Sequence, residues 1–208
     1  MSSRVNADTR RKQVVAHAAE LFDKAGYHAT NMTQLARGVG LKKPTLYNYF
    51  AAKNEILFWI HEEFIDLLIS KSEARSGDDF SPTAQLRLVM ADILELMDTH
   101  RGHVRVFFEH HRELSVEQQE AIRTKRDQYH LSVKGIVQAG IRAGEFRDLE
   151  PSLVTLALFG TCNWAYQWYQ NDGAYASEQI SEFFFDLLFE GLKARRDSRS
   201  GQSPETVL

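Results

Sequence analysis

The stretch that decides the reading is Thr33-Gln-Leu-Ala-Arg-Gly-Val-Gly-Leu-Lys-Lys-Pro-Thr-Leu-Tyr-Asn-Tyr-Phe-Ala-Ala-Lys-Asn-Glu-Ile-Leu57. Thr33 reads as the N-cap of a short helix that Gly40 breaks. Pro44 stands where a second helix would begin, a place that tolerates proline. That second helix is expected over Thr45 to Phe50. Two short helices joined by a tight glycine turn form a helix-turn-helix pattern. Leu35, Ala36, Val39, Leu41, Leu46 and Phe50 supply the packing between them. Lys42, Lys43, Thr45, Asn48 and Tyr49 are left for the outer face. A helix entering the DNA major groove, about 12 Å wide, needs such a polar outer face. The bare pattern is not specific, because any small polar helix pair produces it and two adjacent lysines can be a solvated face.

Helical periodicity continues on both sides. Val14, Ala18, Phe22 and Ala25 repeat at three or four residues, giving a first helix from Asp8 with Gly26 as its C-cap. Residues 1–7 read as a short polar lead-in outside it. A fourth helix runs from near Lys53 to about Arg75, before a break over Ser76 to Phe80. Leu86, Met90, Ile93 and Met97 mark the next, and Arg101 and Gly102 interrupt. Val104, Phe107, Phe108 and His111 make a short amphipathic piece. Ser115 with Gln118 resembles a capping box, opening a long helix to about Ala143. Pro151 starts a mostly apolar helix, and a last one runs from Ser177 to about Arg196, before a frayed tail over 197–208. No strand alternation is visible. The expected fold is all-α, with about nine helices.

Charge divides the chain at the same place. Residues 1–60 carry nine Lys/Arg and four Asp/Glu, a net +5, within a 208-residue chain whose total is −3. The remainder is therefore −8, and so large an asymmetry points to two jobs. A composition of 43% hydrophobic and 25% charged residues excludes a disordered chain, and one Cys excludes a disulfide scaffold. The longest apolar run, Leu153 to Phe159, is far short of a membrane span, and the polar start carries no signal core. These features predict a cytoplasmic protein.

The run from Thr33 to Leu57, with Ala18, Phe22, Gly26 and Tyr27 before it, resembles the DNA-binding signature of TetR-family transcriptional regulators. The core Leu46-Tyr47-x-Tyr49-Phe50-x-x-Lys53 is its most specific part. Gly38, Lys42 and Pro44 depart from the usual Ala, Ser/Thr and Gly/Ala/Ser. The resemblance implies that Thr33, Thr45, Tyr47, Tyr49 and Lys53 touch phosphates, while Lys43, Pro44 and Asn48 face bases. Lys42 can also donate to guanine, and Arg10, Arg11 and Lys12 can reach the backbone or a minor groove. It further implies a DNA-binding domain over 8–55 and a ligand-binding and dimerisation domain over 56–197. The partners are then a palindromic double-stranded operator and a second copy of the chain, paired through its last two helices in a four-helix bundle. Leu153, Phe159, Phe183, Phe184, Leu187 and Leu188 are the expected interface.

Large apolar residues between helices four and eight could line an effector cavity or simply fill the core: Trp59, Phe64, Met90, Ile93, Met97, Phe107, Phe108, Tyr129, Trp164 and Trp168. The runs Gly144 to Pro151 and Asn163 to Tyr169 resemble TetR-type regulators of fatty-acid and steroid catabolism, which implies a hydrophobic effector of the acyl-CoA class. Arg105, Arg123 and Arg126 could then meet the CoA phosphates, or form a solvated face with acidic neighbours. His100 with His103, and the adjacent His110 and His111, lack a completing carboxylate or Cys, so no metal is expected. Cys162 reads as a small core residue. No cofactor is expected, and no Ser/His/Asp set or glycine-rich phosphate loop supports an enzyme. A repressor released by its effector is the leading reading, with an effector-free DNA-binding regulator and a helical-cavity enzyme as alternatives.

Overall fold

The computed structural model describes residues 2–75 and 79–193, with side chains from residue 7 onward. Its helices are α1 (Ser2–Ala25), α2 (Met32–Gly38), α3 (Lys43–Tyr47), α4 (Lys53–Ala74), α5 (Pro82–Thr99), α6 (Arg101–Glu109), α7 (Val116–Arg142), α8 (Pro151–Asn163), α9 (Ala165–Trp168) and α10 (Ser177–Leu192). A 3-10 turn, His111–Glu113, joins α6 to α7. Among the described residues there is no strand, only an isolated antiparallel bridge between Phe146 and Lys193. No described helix is long and apolar enough to cross a membrane.

Several boundaries differ from the sequence expectation, each for a local reason. α1 begins at Ser2, so most of the polar lead-in is helical. α2 is capped by Asn31, whose side-chain oxygen accepts from the Thr33 and Gln34 amides, while the Gln34 side chain accepts from the Asn31 amide. Thr33 is therefore inside the helix rather than its cap. α3 starts two residues early, at Lys43, because Pro44 occupies its first turn, and it ends at Tyr47. Gly102 is no helix breaker: His100 makes the α5–α6 corner (φ −137°, ψ 36°) and Gly102 lies within α6. The apolar eighth helix stops at Asn163, and the short α9 that follows gives ten α-helices among the described residues where about nine are expected. The expected end of the last helix at Arg196 and the tail over 197–208 lie outside the described residues.

α1, α2 and α3 close on a small core of Val14, Ala18, Phe22, Leu35, Leu46 and Phe50, all essentially inaccessible. Gly26 (φ +85°) and Gly40 (φ +68°) make the two turns, in the left-handed region that glycine enters without strain. Gly38, where the resemblance expects alanine, has a contact reason. A Cβ there would run into the His17 imidazole, so the glycine seats that ring of α1 on the end of α2. α4 then leaves this head and continues into the larger body, where α5, α7, α8 and α10 pack around Leu86, Met90, Ile93, Met97, Val133 and Leu158.

Candidate nucleic-acid interface and effector cavity

The outer face of the head gathers the basic residues. Lys42, Lys43, Pro44, Tyr47 and Asn48 are exposed on α3 and its ends, and Thr33 is exposed on α2. Thr45 and Tyr49 are half-buried, so only part of each side chain reaches the surface. The Lys43 ammonium stands 6.0 Å from the Tyr47 ring centroid, close enough for the ring face to hold it over the surface. A shallow hollow between α2 and α3 is lined by Thr33, Lys43, Tyr47 and Lys53 together with Arg37 and His28. The last two were missed from sequence. Arg37 lies one turn beyond Thr33 on the same face, a spacing that could have shown it.

Lys53 is not simply a free cation. Its ammonium donates to the carbonyls of Tyr27 (2.6 Å) and Thr30 (2.8 Å) and sits 4.1 Å from the Tyr27 ring centroid. Burial lowers its pKa from the usual lysine range. It staples the α1–α2 turn to the start of α4, with one N–H left over. Arg11, expected near DNA, instead lies 6.0 Å from the Trp59 ring and 3.9 Å from Asp8. Arg10 donates to Gln13. Lys12 borders a hollow with Trp59 and Glu62 between α1 and α4.

Behind the head, α6 is pressed against α1. A Cβ on Gly102 would lie 2.8–2.9 Å from the backbone of Ala19 and Glu20, so the two helices touch main chain to main chain there. Asp23 of α1 faces the Arg105 guanidinium at 2.8 Å, and Glu109 holds the same arginine at 2.9 Å. Beyond α6, Glu113 pairs with His28 at 2.9 Å, and the His110 ring lies 5.8 Å from Tyr27. Burial pushes the His110 pKa down.

The opposite side of α6 forms one wall of a cavity of about 800 Å³. Phe64, Ile65 and Leu68 come from α4, Ile93 from α5, Phe107 and Phe108 from α6, Ile122 and Tyr129 from α7, and Phe159 from α8. The rings interlock: Phe64 and Phe107 are 4.5 Å apart, and Tyr129 is 5.8 Å from Phe159. His111, Arg126, Asp127, His130 and Asn163 give the cavity a polar side. Burial first, and Arg126 second, lower the His111 pKa.

The other expected pocket residues lie elsewhere. Met90 lines a smaller apolar cavity of about 220 Å³ between α5, α8 and α10, with Leu153 and Leu188. Met97 is core. Trp59 is 37% exposed on the head side of α4. Trp164 and Trp168 are 63% and 45% exposed, because α8 ends at Asn163 and turns them outward. Trp168 rests 6.3 Å from Phe184. Of the three arginines proposed for phosphates, Arg105 is taken by Asp23 and Glu109 and Arg123 by Glu120, leaving Arg126 at the cavity.

A continuous apolar face runs along α8 and α10. Leu153, Leu156, Phe183 and Leu187 are each more than half exposed on it, with Phe184 and Leu188 half-buried beside them. Phe159 belongs to the cavity wall instead.

Comparison with known proteins follows this division. Residues 14–59 match the model for bacterial regulatory proteins of the tetR family. Residues 79–192 match the model for the tetracyclin repressor-like C-terminal domain. The HTH-type transcriptional repressor KstR2 of Mycobacterium tuberculosis (strain ATCC 25618 / H37Rv) is 23% identical over 187 residues, 89% of this chain and 94% of its own. The TetR family regulator PfmR from Thermus thermophilus superposes with a TM-score of 0.81 at 27% identity, covering 86% of this chain and 98% of that one. AibR, solved with isovaleryl coenzyme A and operator DNA, gives 0.78 at 25% identity, with the same coverage.

Proposed function

The chain belongs to the TetR family of DNA-binding transcriptional regulators, and from that premise we propose that it is a homodimeric repressor released from a palindromic operator by a hydrophobic effector of the acyl-CoA class. Residues Lys42, Lys43, Pro44 and Asn48 face the bases in this reading, and Thr33, Thr45, Tyr47 and Tyr49 hold the backbone, joined by Arg37, while Lys53, held by the Tyr27 and Thr30 carbonyls, offers only its remaining N–H. Phosphate contacts fix the register and base contacts read the sequence. The exposed Leu153–Leu156–Phe183–Leu187 face takes the second copy. A contiguous apolar surface of this kind marks an interaction site, and two-fold pairing matches two half-sites. The function is exercised in the cytoplasm, where the DNA lies.

One observation carries the effector part: α6 has Phe107 and Phe108 in the cavity and Gly102 on the backbone of α1. A ligand that displaces the rings therefore displaces the seat of the head. Release requires only that the ligand bind the two dimer states unequally. The acyl-CoA class is supported by the aromatic cavity with Arg126 beside it, and by the neighbour AibR, whose structure holds isovaleryl coenzyme A.

The test is a titration of acyl-CoAs of stepped chain length against the protein–operator complex. Release by some lengths and not others is expected. No release by any would leave a DNA-binding regulator without an acyl-CoA effector.

A further inference from the structure

One residue of the cavity wall carries a buried polar atom without a partner. Tyr129 is 4% exposed, its ring forms part of the cavity wall against Phe159, and its hydroxyl has no hydrogen-bond partner. The Asp92 carboxylate of α5, a charge that acts on this hydroxyl, is already held by Arg75 and Lys71. Burial above all, and then Asp92, raise the Tyr129 pKa above the usual phenol value, so the group stays a neutral O–H that can donate. A buried hydroxyl without a partner is costly, and phenylalanine at the same place would not carry that cost. The other benzene rings of this wall (Phe64, Phe107, Phe108 and Phe159) are phenylalanine, and His111 and His130 add imidazoles. A tyrosine here points to a partner that arrives with the ligand.

We propose that Tyr129 is a specificity-determining residue of the effector cavity, whose hydroxyl donates a hydrogen bond to a carbonyl oxygen of the effector. This rests on the cavity being the effector site, as argued above. It adds that the effector is not read by its apolar body alone. A carbonyl set among the rings is required, and the thioester carbonyl of an acyl-CoA supplies one. A site built to pair with such a group rejects the analogue that lacks it, because its own polar atom is then left unpaired.

The experiment uses the full-length protein bound to its operator and two probes of equal chain length: a saturated acyl-CoA thioester and the S-alkyl-CoA thioether, which lacks the carbonyl. Half-release concentrations are measured for the natural chain and for Tyr129→Phe, together with melting temperatures in the absence of ligand. The natural chain should prefer the thioester by about 10-fold, the worth of one such hydrogen bond. Tyr129→Phe should lose that preference by weakening thioester release alone, with the thioether unchanged and the melting temperature equal or higher. A preference that survives Tyr129→Phe, or thioester release equal to thioether release in the natural chain, overturns the assignment and leaves the cavity reading standing. A melting temperature several degrees lower in Tyr129→Phe also overturns it, since the hydroxyl would already have a partner in the free protein. If neither probe releases the natural chain, the acyl-CoA reading fails first and this inference falls with it.

Discussion

The head and the body of this molecule keep the residues proposed to work in opposite places. In the head, Lys42, Lys43, Tyr47 and Asn48 stand on the surface, and the core beneath them is made by other side chains. In the body, Phe107 and Tyr129 are at once cavity wall and core, 8% and 4% exposed. Function and stability can therefore be changed independently in the head but not in the body. The head can accept new base preferences by exchanging side chains that hold nothing together. The body can accept a new ligand only by repacking itself.

The comparison can be broken first by Lys43→Glu. Reversing an exposed charge at the groove should weaken operator binding on the order of 100-fold or more, measured by fluorescence anisotropy. The protein should remain folded, with a melting temperature within a degree or two; a large drop would show that the head does not separate the two properties.

Gly102→Ala probes the joint between the regions. The added methyl meets backbone atoms of Ala19 and Glu20, which cannot rotate away as a side chain would. Overpacking of this kind costs about 1–3 kcal/mol. Effector binding to the body, read by calorimetry, should persist while its effect on operator release is lost or strongly reduced.

His61 tests the body alone. It is fully buried, its Nδ1 meets the Leu57 carbonyl at 2.9 Å and must carry the proton, and its Nε2 has no partner. Burial drives its pKa down to about 4, below the ordinary value of 6.5. The unfolded chain takes the proton first as pH falls. Stability from this residue is thus full above pH 6.5 and is lost progressively toward pH 4, by about 2 kcal/mol at pH 5. Chemical denaturation at pH 7 and pH 5 should show that loss in the natural chain and a smaller one in His61→Leu.

The smallest expected effect sharpens the head. Lys53→Met removes two donations to Tyr27 and Thr30 carbonyls. It should cost about 1–2 kcal/mol of stability, and should change the salt slope of operator binding by less than one phosphate contact. A full unit of slope would make Lys53 a phosphate ligand first and a staple second.

The head was legible in the sequence because its signals are local. Gly40, Pro44 and the Leu46/Phe50 spacing each dictate a turn, a first helical position or a buried side. The cap at Asn31 was missed because Asn31 and Thr33 can both cap, and only the Gln34 side chain reaching back decides between them. The cavity was legible only as a pool of large apolar residues. Its members come from five helices, and whether a tryptophan faces inward depends on where α8 ends. Hence Phe107 and Tyr129 both line the cavity while Trp164 and Trp168 do not. Gly102 illustrates the same limit: from sequence it is a breaker, and only the position of α1 makes it a contact.

That contact bears on how such regulators can be recombined. The segment from 14 to 59 looks like a detachable cartridge, recognisable by itself and able to be spliced onto other bodies. Yet the inner side of its first helix is moulded to α6, down to the missing methyl of Gly102 and the Asp23–Arg105 pair. A chimera that exchanges only the cartridge would inherit a mismatched bearing, binding its new operator but deaf to the ligand. The smallest portable unit is the cartridge together with the α6 surface on which it turns.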